Sequence, residues 1–415
     1  MMILTRETFF NQYGKSLDEI IHLQDMIIQH NYANSSKPVP EIPKIFFSSK
    51  NEFMKLITTI QTALFTRYSN YNYYEKIIDQ ILPYINSYFN SDEIYYFSIL
   101  NRIKLYFYRK GLITIDTVIR KAKASKVVAN IFAYEIYQER PEDFNYFFQS
   151  KDQFLKENEF PSFDAFLEFR DKWINKDSIS IVIREDNPDK LRDLISKNNI
   201  SYDYKIPYSY FEDRLCFFKK KDMPNIIDYS ALHGSIKIFK YLLMNDAKIT
   251  DKTMEFAVYG GSYEIIHILE NHKCSYSRAL EASIRVHNNE LYDYFINSIE
   301  LHHTNDSISR AVTNYNIRII KDILMDEELF SMIPDITDRS GSTLLGIAIS
   351  QDFPDLIEMF MNIQKFDLSK PQESSFSYLM EACLTKNFDL VKFLIEKEKV
   401  DVNYYGGAGI SIFIF

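Results

Sequence analysis

The chain is poor in the residues that carry much of protein chemistry. Of 415 residues only 3 are cysteine and 1 is tryptophan. Cys216, Cys274 and Cys383 are odd in number, far apart and without metal-ligand spacing. That argues against a disulfide framework or a cysteine zinc site, and fits a reducing compartment. Long apolar runs are missing too. The start, Met1-Met2-Ile3-Leu4-Thr5-Arg6-Glu7, meets charge too soon for a signal-peptide core. No uncharged stretch approaches the ~18–20 residues of a membrane span. The expectation is a soluble cytoplasmic protein, with the nucleus as an alternative, and no membrane partner. An excess of positive charge is likewise absent: the formal charge of −9 leaves no global field to recruit nucleic acid. Lys219-Lys220-Lys221 reads as a solvated charge run.

Catalytic and cofactor motifs are also lacking. Gly406-Gly407-Ala408-Gly409 is not followed by Lys-Ser/Thr and precedes no useful helix, so it reads as a flexible turn rather than a phosphate loop. His267 and His272, five residues apart, would lie about 140° apart around a helix and not on one face. His302-His303 sits in a polar loop. Scattered carboxylates such as Glu327-Glu328 form no pair whose environments separate two pKa values. No Gly-x-Ser-x-Gly or Cys/His constellation marks a nucleophile. The expectation is a protein that is not an enzyme and needs no cofactor or metal.

What the chain has is apolar helical periodicity. With 46% hydrophobic residues over this length, it can bury a large core in two or more domains. Leu17, Ile20, Ile21, Ile27 and Ile28 make a stripe interrupted by Gln24. This predicts a helix from Ser16 to about Asn31, with Ser16 and Glu19 at the spacing of a capping box. The prolines of Ser35–Pro43 then form an extended link. Helical spacing returns from Ile45 to about Phe89, broken near Ser69–Asn72 and Pro83. Ser91 is the expected cap of a helix Asp92–Arg109 closed by Gly111; Asp116 and Ser125 are expected to cap two more, Pro141 to stop the second, and a further helix to run from Phe163 to Ile174. The expected class is all-α.

From residue 177 onward one pattern recurs. Ser230–Leu243 and Ala257–Leu269 each close a first helix on small residues, turn at a Gly, and continue in a second helix with apolar positions three and four apart. Aligned on the turn position, the copies place Asp186, Gly234, Gly261, His287, Tyr315, Asp352 and Lys386 in one slot, with successive differences of 48, 27, 26, 28, 37 and 34 residues. Only two slots hold Gly; for Tyr315 the neighbouring Asn314 or Asn316 is expected to take the left-handed conformation instead. Phe239, Leu242, Ile265, Ile266 and Leu269 are the expected core between copies.

This pattern resembles the ankyrin repeat, a unit of about 33 residues with two antiparallel helices and a β-turn finger. The Thr-Pro-Leu-His opening is degraded to Thr343-Leu344-Leu345-Gly346. The resemblance implies an ankyrin-like α-solenoid over 177–415, its last repeat incomplete, preceded by a helical domain over 1–176. Full fingers fit the last two intervals, and tight loops replace them in the middle three. The runs Arg109–Asp116 and Phe132–Ile136 resemble the N-terminal helical region of a large protozoan family of ankyrin-like proteins, a region of no established activity. The chain stops after Asp401-Val402-Asn403 and an apolar tail, which reads as a truncated array or an end folded back on the last repeat.

For function, the resemblance implies a non-catalytic scaffold that binds a protein partner through the concave face of the array. The implied partner-binding residues are Asp338, Arg339 and Ser340 at a finger tip, Ser350 and Gln351 on the following helix, and His233 and Tyr259 in the shorter repeats. The alternatives are an adaptor docking through its N-terminal helices, and an enzyme with its activity in 1–176. Partner identity and oligomeric state are not legible in the sequence.

Overall fold

The computed structural model describes residues 5–28, 39–66, 71–98, 100–212, 223–250, 252–276, 278–363, 366–368, 372–374, 376–398 and 400–402. Cys216, the lysine run 219–221, the glycine run 406–409, the tail from Asn403 and residues 35–38 of the proline link lie outside them.

The chain is all-α. In chain order the first helices are α1 (Arg6–Ile28), α2 (Lys50–Thr66), α3 (Tyr71–Tyr88), α4 (Ser91–Phe97), α5 (Asn101–Arg109), α6 (Ile115–Ala124), α7 (Lys126–Ile131), α8 (Ala133–Glu139), α9 (Pro141–Phe148), α10 (Lys151–Glu157) and α11 (Phe163–Lys172). Next come α12 (Ser178–Arg184), α13 (Pro188–Asn198), α14 (Ile226–His233), α15 (Ile236–Met244), α16 (Thr253–Gly260), α17 (Tyr263–Asn271), α18 (Ala279–Arg285) and α19 (Asn289–Asn297). The last are α20 (Asn305–Thr313), α21 (Ile317–Met325), α22 (Glu327–Met332), α23 (Leu344–Ser350), α24 (Pro354–Ile363), α25 (Tyr378–Leu384) and α26 (Phe388–Glu396). Among the described residues β pairing is confined to two isolated bridges, Lys205 with Asn225 and Thr337 with Thr343.

Several helix boundaries differ from the periodicity reading. Helix α1 starts ten residues before Ser16, because Phe9 and Tyr13 extend the apolar stripe of Leu17 and are buried with it. Ser16 is therefore an interior residue. Pro83 does not break α3. Asn90, not Ser91, caps α4 in a capping box with Glu93, and the expected single helix divides into α4 and α5. Thr114, not Asp116, caps α6 through the Thr117 amide, whereas Ser125 caps α7 as expected. The helix before Pro141 stops as expected, α8 ending at Glu139, and Pro141 itself opens α9 at its first position, where its missing N–H is no loss.

Two compact units result. Residues 71–278 form one, and residues 1–70 with 279–415 form the other. The first contains the sequence-based boundary at 176/177, which falls between α11 and α12. An aromatic core of Phe144, Phe148, Phe154, Phe163 and Phe166 fills its α9–α11 region. Phe211 joins that core from beyond the boundary, with its ring against Phe160, Phe166 and Trp173. Arg170 is buried beside it in a bidentate pair with Glu135, at 2.6 and 2.9 Å. Thus α12–α17 are packed into the same unit as α3–α11.

In the second unit α1 lies on α2, α21 and α24. Its apolar stripe is buried apart from Ile21, which is half-buried, and polar contacts from four of its residues fix its register. Arg6 Nη1 donates to the Met325 carbonyl (2.7 Å), Tyr13 Oη to Glu358 (3.1 Å), and Lys321 Nζ pairs with Asp18 (2.5 Å). Gln24, the residue that breaks the stripe, is buried; its Nε2 donates to the Tyr315 carbonyl (2.6 Å) while its Oε1 accepts from the Ile317 amide (3.2 Å).

Seven helix hairpins recur: α12–α13, α14–α15, α16–α17, α18–α19, α20–α21, α23–α24 and α25–α26. Each turns at the residue the alignment placed in the turn slot, and all seven have positive φ: Asp186 50°, Gly234 65°, Gly261 67°, His287 50°, Tyr315 53°, Asp352 52° and Lys386 58°. Tyr315 itself adopts the left-handed conformation, whereas Asn314 (φ −101°) and Asn316 (φ −84°) do not. Within the first unit α12, α14 and α16 lie side by side, as do α13, α15 and α17; within the second, α18, α20, α23 and α25 follow one another. Phe239, Leu242, Ile265, Ile266 and Leu269 are all buried.

Side chains at the turns stitch neighbouring hairpins together. Asp186 accepts from the Lys237 and Ile238 amides (3.2 and 2.9 Å). His287 Nε2 donates to the Asn314 carbonyl (2.9 Å), Tyr315 Oη to Asp355 (2.6 Å), and Asn387 Nδ2 to Asp352 (3.2 Å). The residue after the slot reaches back: Ser235 Oγ donates to Ile183 O (2.6 Å) and Asn316 Nδ2 to Ile284 O (3.0 Å).

Candidate partner-binding face

The finger at 337–343 is built by a short backbone pairing. Asp338 N donates to Ser342 O at 2.9 Å, and the Thr337–Thr343 bridge closes the base. Asp338 folds its carboxylate back to accept from Ser340 N (2.8 Å), Ser340 Oγ (2.7 Å) and Ser342 N (2.9 Å). This is the local bonding that makes Asp a turn former. Gly341 has φ 83°, and a Cβ there would lie 2.7 Å from the Ser374 nitrogen, so no other residue fits without moving the backbone.

Arg339 is exposed but tethered. Its Nε donates to Asp306 Oδ2 (2.5 Å) and its Nη2 to Glu281 Oε1 (3.5 Å), which holds the tip over α20 and α18. At the base, Gln372 Oε1 accepts from Thr343 N (2.8 Å) and Oγ1 (3.1 Å). Gly346 is what admits this side chain, since a Cβ there would sit 1.9 Å from Gln372 Oε1. Gln372 thus occupies the space that Gly346 leaves open. Behind the tip, burial and then the nearby Asp338 charge push the Glu381 carboxyl up to about 7, against a hydrogen bond from Gln372 that lowers it.

The structure brings Asp338, Arg339 and Ser340 to one tip. Ser350 and Gln351 are exposed at the C-terminal end of α23, about 10 Å along that helix from its start at 1.5 Å per residue. Ser350 Oγ donates to its own helix at Ile347 O (2.9 Å). Tyr259, in the other unit, is half-buried and donates to Glu255 Oε1 (2.8 Å); the second oxygen of Glu255 takes Arg278 Nη1 (3.3 Å).

His233 is placed differently from the expectation of an open face: its side chain is only 3% exposed. The ring packs on Tyr229 at 4.4 Å, with Nε2 3.3 Å from Glu212 Oε1. Arg184 Nη2 (2.7 Å) and Tyr229 Oη (2.7 Å) donate to the same oxygen, and Asn175 Nδ2 to the other (3.3 Å). Burial alone would raise the Glu212 carboxyl, but the bond from His233, the Arg184 charge and the Tyr229 hydroxyl bring it down to about 2. The reason is Phe211, whose insertion into the aromatic core drags Glu212 inside, where it must be paired. Sequence reading missed Glu212 and Gln24 because their partners are remote in the chain.

Among the described residues no group of three His, Cys, Asp or Glu side chains is placed to hold a metal ion, and no helix is long and apolar enough to cross a membrane. In comparison with known families, residues 244–320 match a domain of unknown function, DUF3447. The match runs from the end of α15 into α21 and takes in the hairpins whose connections are short. No curated protein matches the chain.

Proposed function

We propose that this chain is a non-catalytic protein-binding scaffold of the ankyrin-repeat kind, which receives a protein partner on the face made by the finger at 337–343 and the first helices of the hairpins in its own unit, α18, α20 and α23. The observation that carries the reading is the recurrence of one left-handed turn at seven aligned positions, with side-chain bonds between neighbouring hairpins inside each unit. Such a stack is stabilised by neighbour contacts and leaves its loop tips free to vary. The tip at 338–340 is rigid through Asp338 and exposed at Arg339 and Ser340, and a preorganised surface loses little entropy on binding. Glu212 and His233, in contrast, are bonded internally and act as a scaffold joint.

The test uses the full chain. Immobilised wild type is expected to retain a protein from a native lysate, and Ser340→Arg with Gln351→Arg is expected to lose it at an unchanged melting temperature. These two sites are chosen because Gln351 lies off the finger and Ser340 keeps its amide bond to Asp338 when its hydroxyl is lost, whereas Arg339 ties the tip to α20 and α18. Equal recovery by both forms would move the function off this face, and recovery by residues 71–176 presented in the intact chain, mapped by crosslinking, would favour the adaptor reading.

A further inference from the structure

Charge is unevenly placed along this chain. Residues 101–126 carry eight lysines and arginines against one carboxylate, Asp116, while the whole chain has a net charge of −9 that averages this local excess away. Packing neutralises part of it. Arg109 pairs with Asp171 (2.7 Å) and Lys110 with Asp79 (3.0 Å), and Asp116 itself takes Arg140 (2.8 Å). Other cations gather where α4, α5 and α6 meet, around two tyrosine rings in the unit 71–278. Lys104 Nζ stands 4.7 Å from the centre of the buried Tyr95 ring, and Lys121 Nζ 5.7 Å from it. Lys121 Nζ also lies 3.9 Å from the centre of the Tyr96 ring, and Tyr96 is 64% exposed. The carboxylates beside these lysines are engaged. Arg120 Nη2 donates to both oxygens of Asp92 (2.8 and 2.9 Å), with Lys121 Nζ 4.0 Å away, and Glu93 accepts the Asn90 amide in the cap of α4 (2.8 Å). Lys123 is exposed three residues after Arg120, hence beside it on the surface of α6.

We infer that this surface binds single-stranded nucleic acid, with a base stacked on Tyr96 and backbone phosphates on Lys104, Lys121 and Lys123. Charge complementarity asks for a polyanion, and the aromatic ring selects which one. An exposed ring set among lysines serves a strand twice, because every base has a π-face to stack and every linkage a phosphate to pair. An acidic peptide would use the lysines alone. An anionic bilayer would need apolar side chains to enter it, and Tyr96 is the only large apolar side chain exposed among the described residues of α4–α7. Lysine charges without a planar fork read no base edge, so the expected binding tolerates any sequence.

Fluorescence anisotropy with the full-length chain and a labelled thymidine strand of about 16 nucleotides tests this. Wild type is expected to bind, with log K falling against log salt at a slope of about −2 for three phosphates on a single strand. Tyr96→Ala is expected to weaken binding at least about fivefold. Lys121→Gln with Lys123→Gln is expected to flatten the slope by about 1.4. Lys197→Gln, at an exposed residue of α13, should change neither quantity. A thermal melt of each variant shows that it is folded. No binding at low salt up to about 100 μM protein, or binding indifferent to both the tyrosine and the lysine changes, overturns the inference. Competition decides the other occupants: polyglutamate, or vesicles of phosphatidylserine and phosphatidylcholine in equal parts, held more tightly than the strand would overturn it in favour of an acidic protein or a membrane.

Discussion

The turns at Gly234 and Tyr315 share a conformation, φ 65° and 53°, and reach it by opposite means. Gly234 has no Cβ to strain and touches little; a methyl added there would meet only Ser262 Cβ, at 3.8 Å. Tyr315 bears a left-handed penalty of roughly 1–2 kcal/mol. Its side chain offsets this by reaching into the next hairpin. The ring is fully buried 4.7 Å from Phe353, the hydroxyl donates to Asp355, and the carbonyl takes Gln24 from α1. Burying such a ring is worth about 1.5–3 kcal/mol, and the bond to a carboxyl adds to it. The same fold position can therefore be held by freedom of the backbone or by commitment of the side chain. Commitment also welds one hairpin to the next.

The sharpest way to break the comparison is Tyr315→Ala against Gly234→Ala. The first removes the ring and keeps the strained backbone, and is expected to lose about 3–5 kcal/mol. The second adds only strain and is expected to lose about 1–2 kcal/mol. Urea denaturation of both variants checks the order. Equal losses would mean that the Tyr315 side chain contributes nothing beyond its backbone.

A smaller effect is expected from the residue that bonds the Tyr315 turn. Gln24→Leu keeps the volume and apolar character of α1 but leaves the Tyr315 carbonyl and the Ile317 amide without their side-chain partner. The expected loss is about 1–3 kcal/mol. Hydrogen exchange at the Ile317 amide gives the specific readout: it should accelerate more than amides elsewhere in α21. Unchanged exchange there would remove Gln24 as the register key of α1.

These cases show what local pattern conveys. Small residues, Gly and i, i+3, i+4 apolar spacing located the seven turn slots and the inter-hairpin core, since both depend on residues close in sequence. The finger at 337–343 was legible because Asp338, Ser340 and Gly341 bond or bend locally. Gln24 looked like a flaw in a stripe, because its partners lie some three hundred residues away. His233 looked like a surface residue for another reason: the segment that buries it, Phe211 and Glu212, carries no periodicity. Ser16 resembled a cap since Ser-x-x-Glu also occurs inside helices, and only the buried Phe9 and Tyr13 show where α1 begins. Whether the tip at 338–340 meets a partner depends on a surface outside this chain.

The smallest change expected is at the last slot. Lys386 has φ 58° like Tyr315, yet its residue is exposed, so burial does not offset its backbone strain as it does at Tyr315. Lys386→Gly should therefore stabilise the chain, by up to about 1 kcal/mol once the greater freedom of glycine in the unfolded chain is subtracted. The same change at Tyr315 should destabilise strongly. Opposite signs at two positions of one conformation would establish that the turn itself tolerates any residue, and that the side chain's contacts decide its worth. A loss at Lys386→Gly would show instead that this lysine, too, is committed to its surroundings.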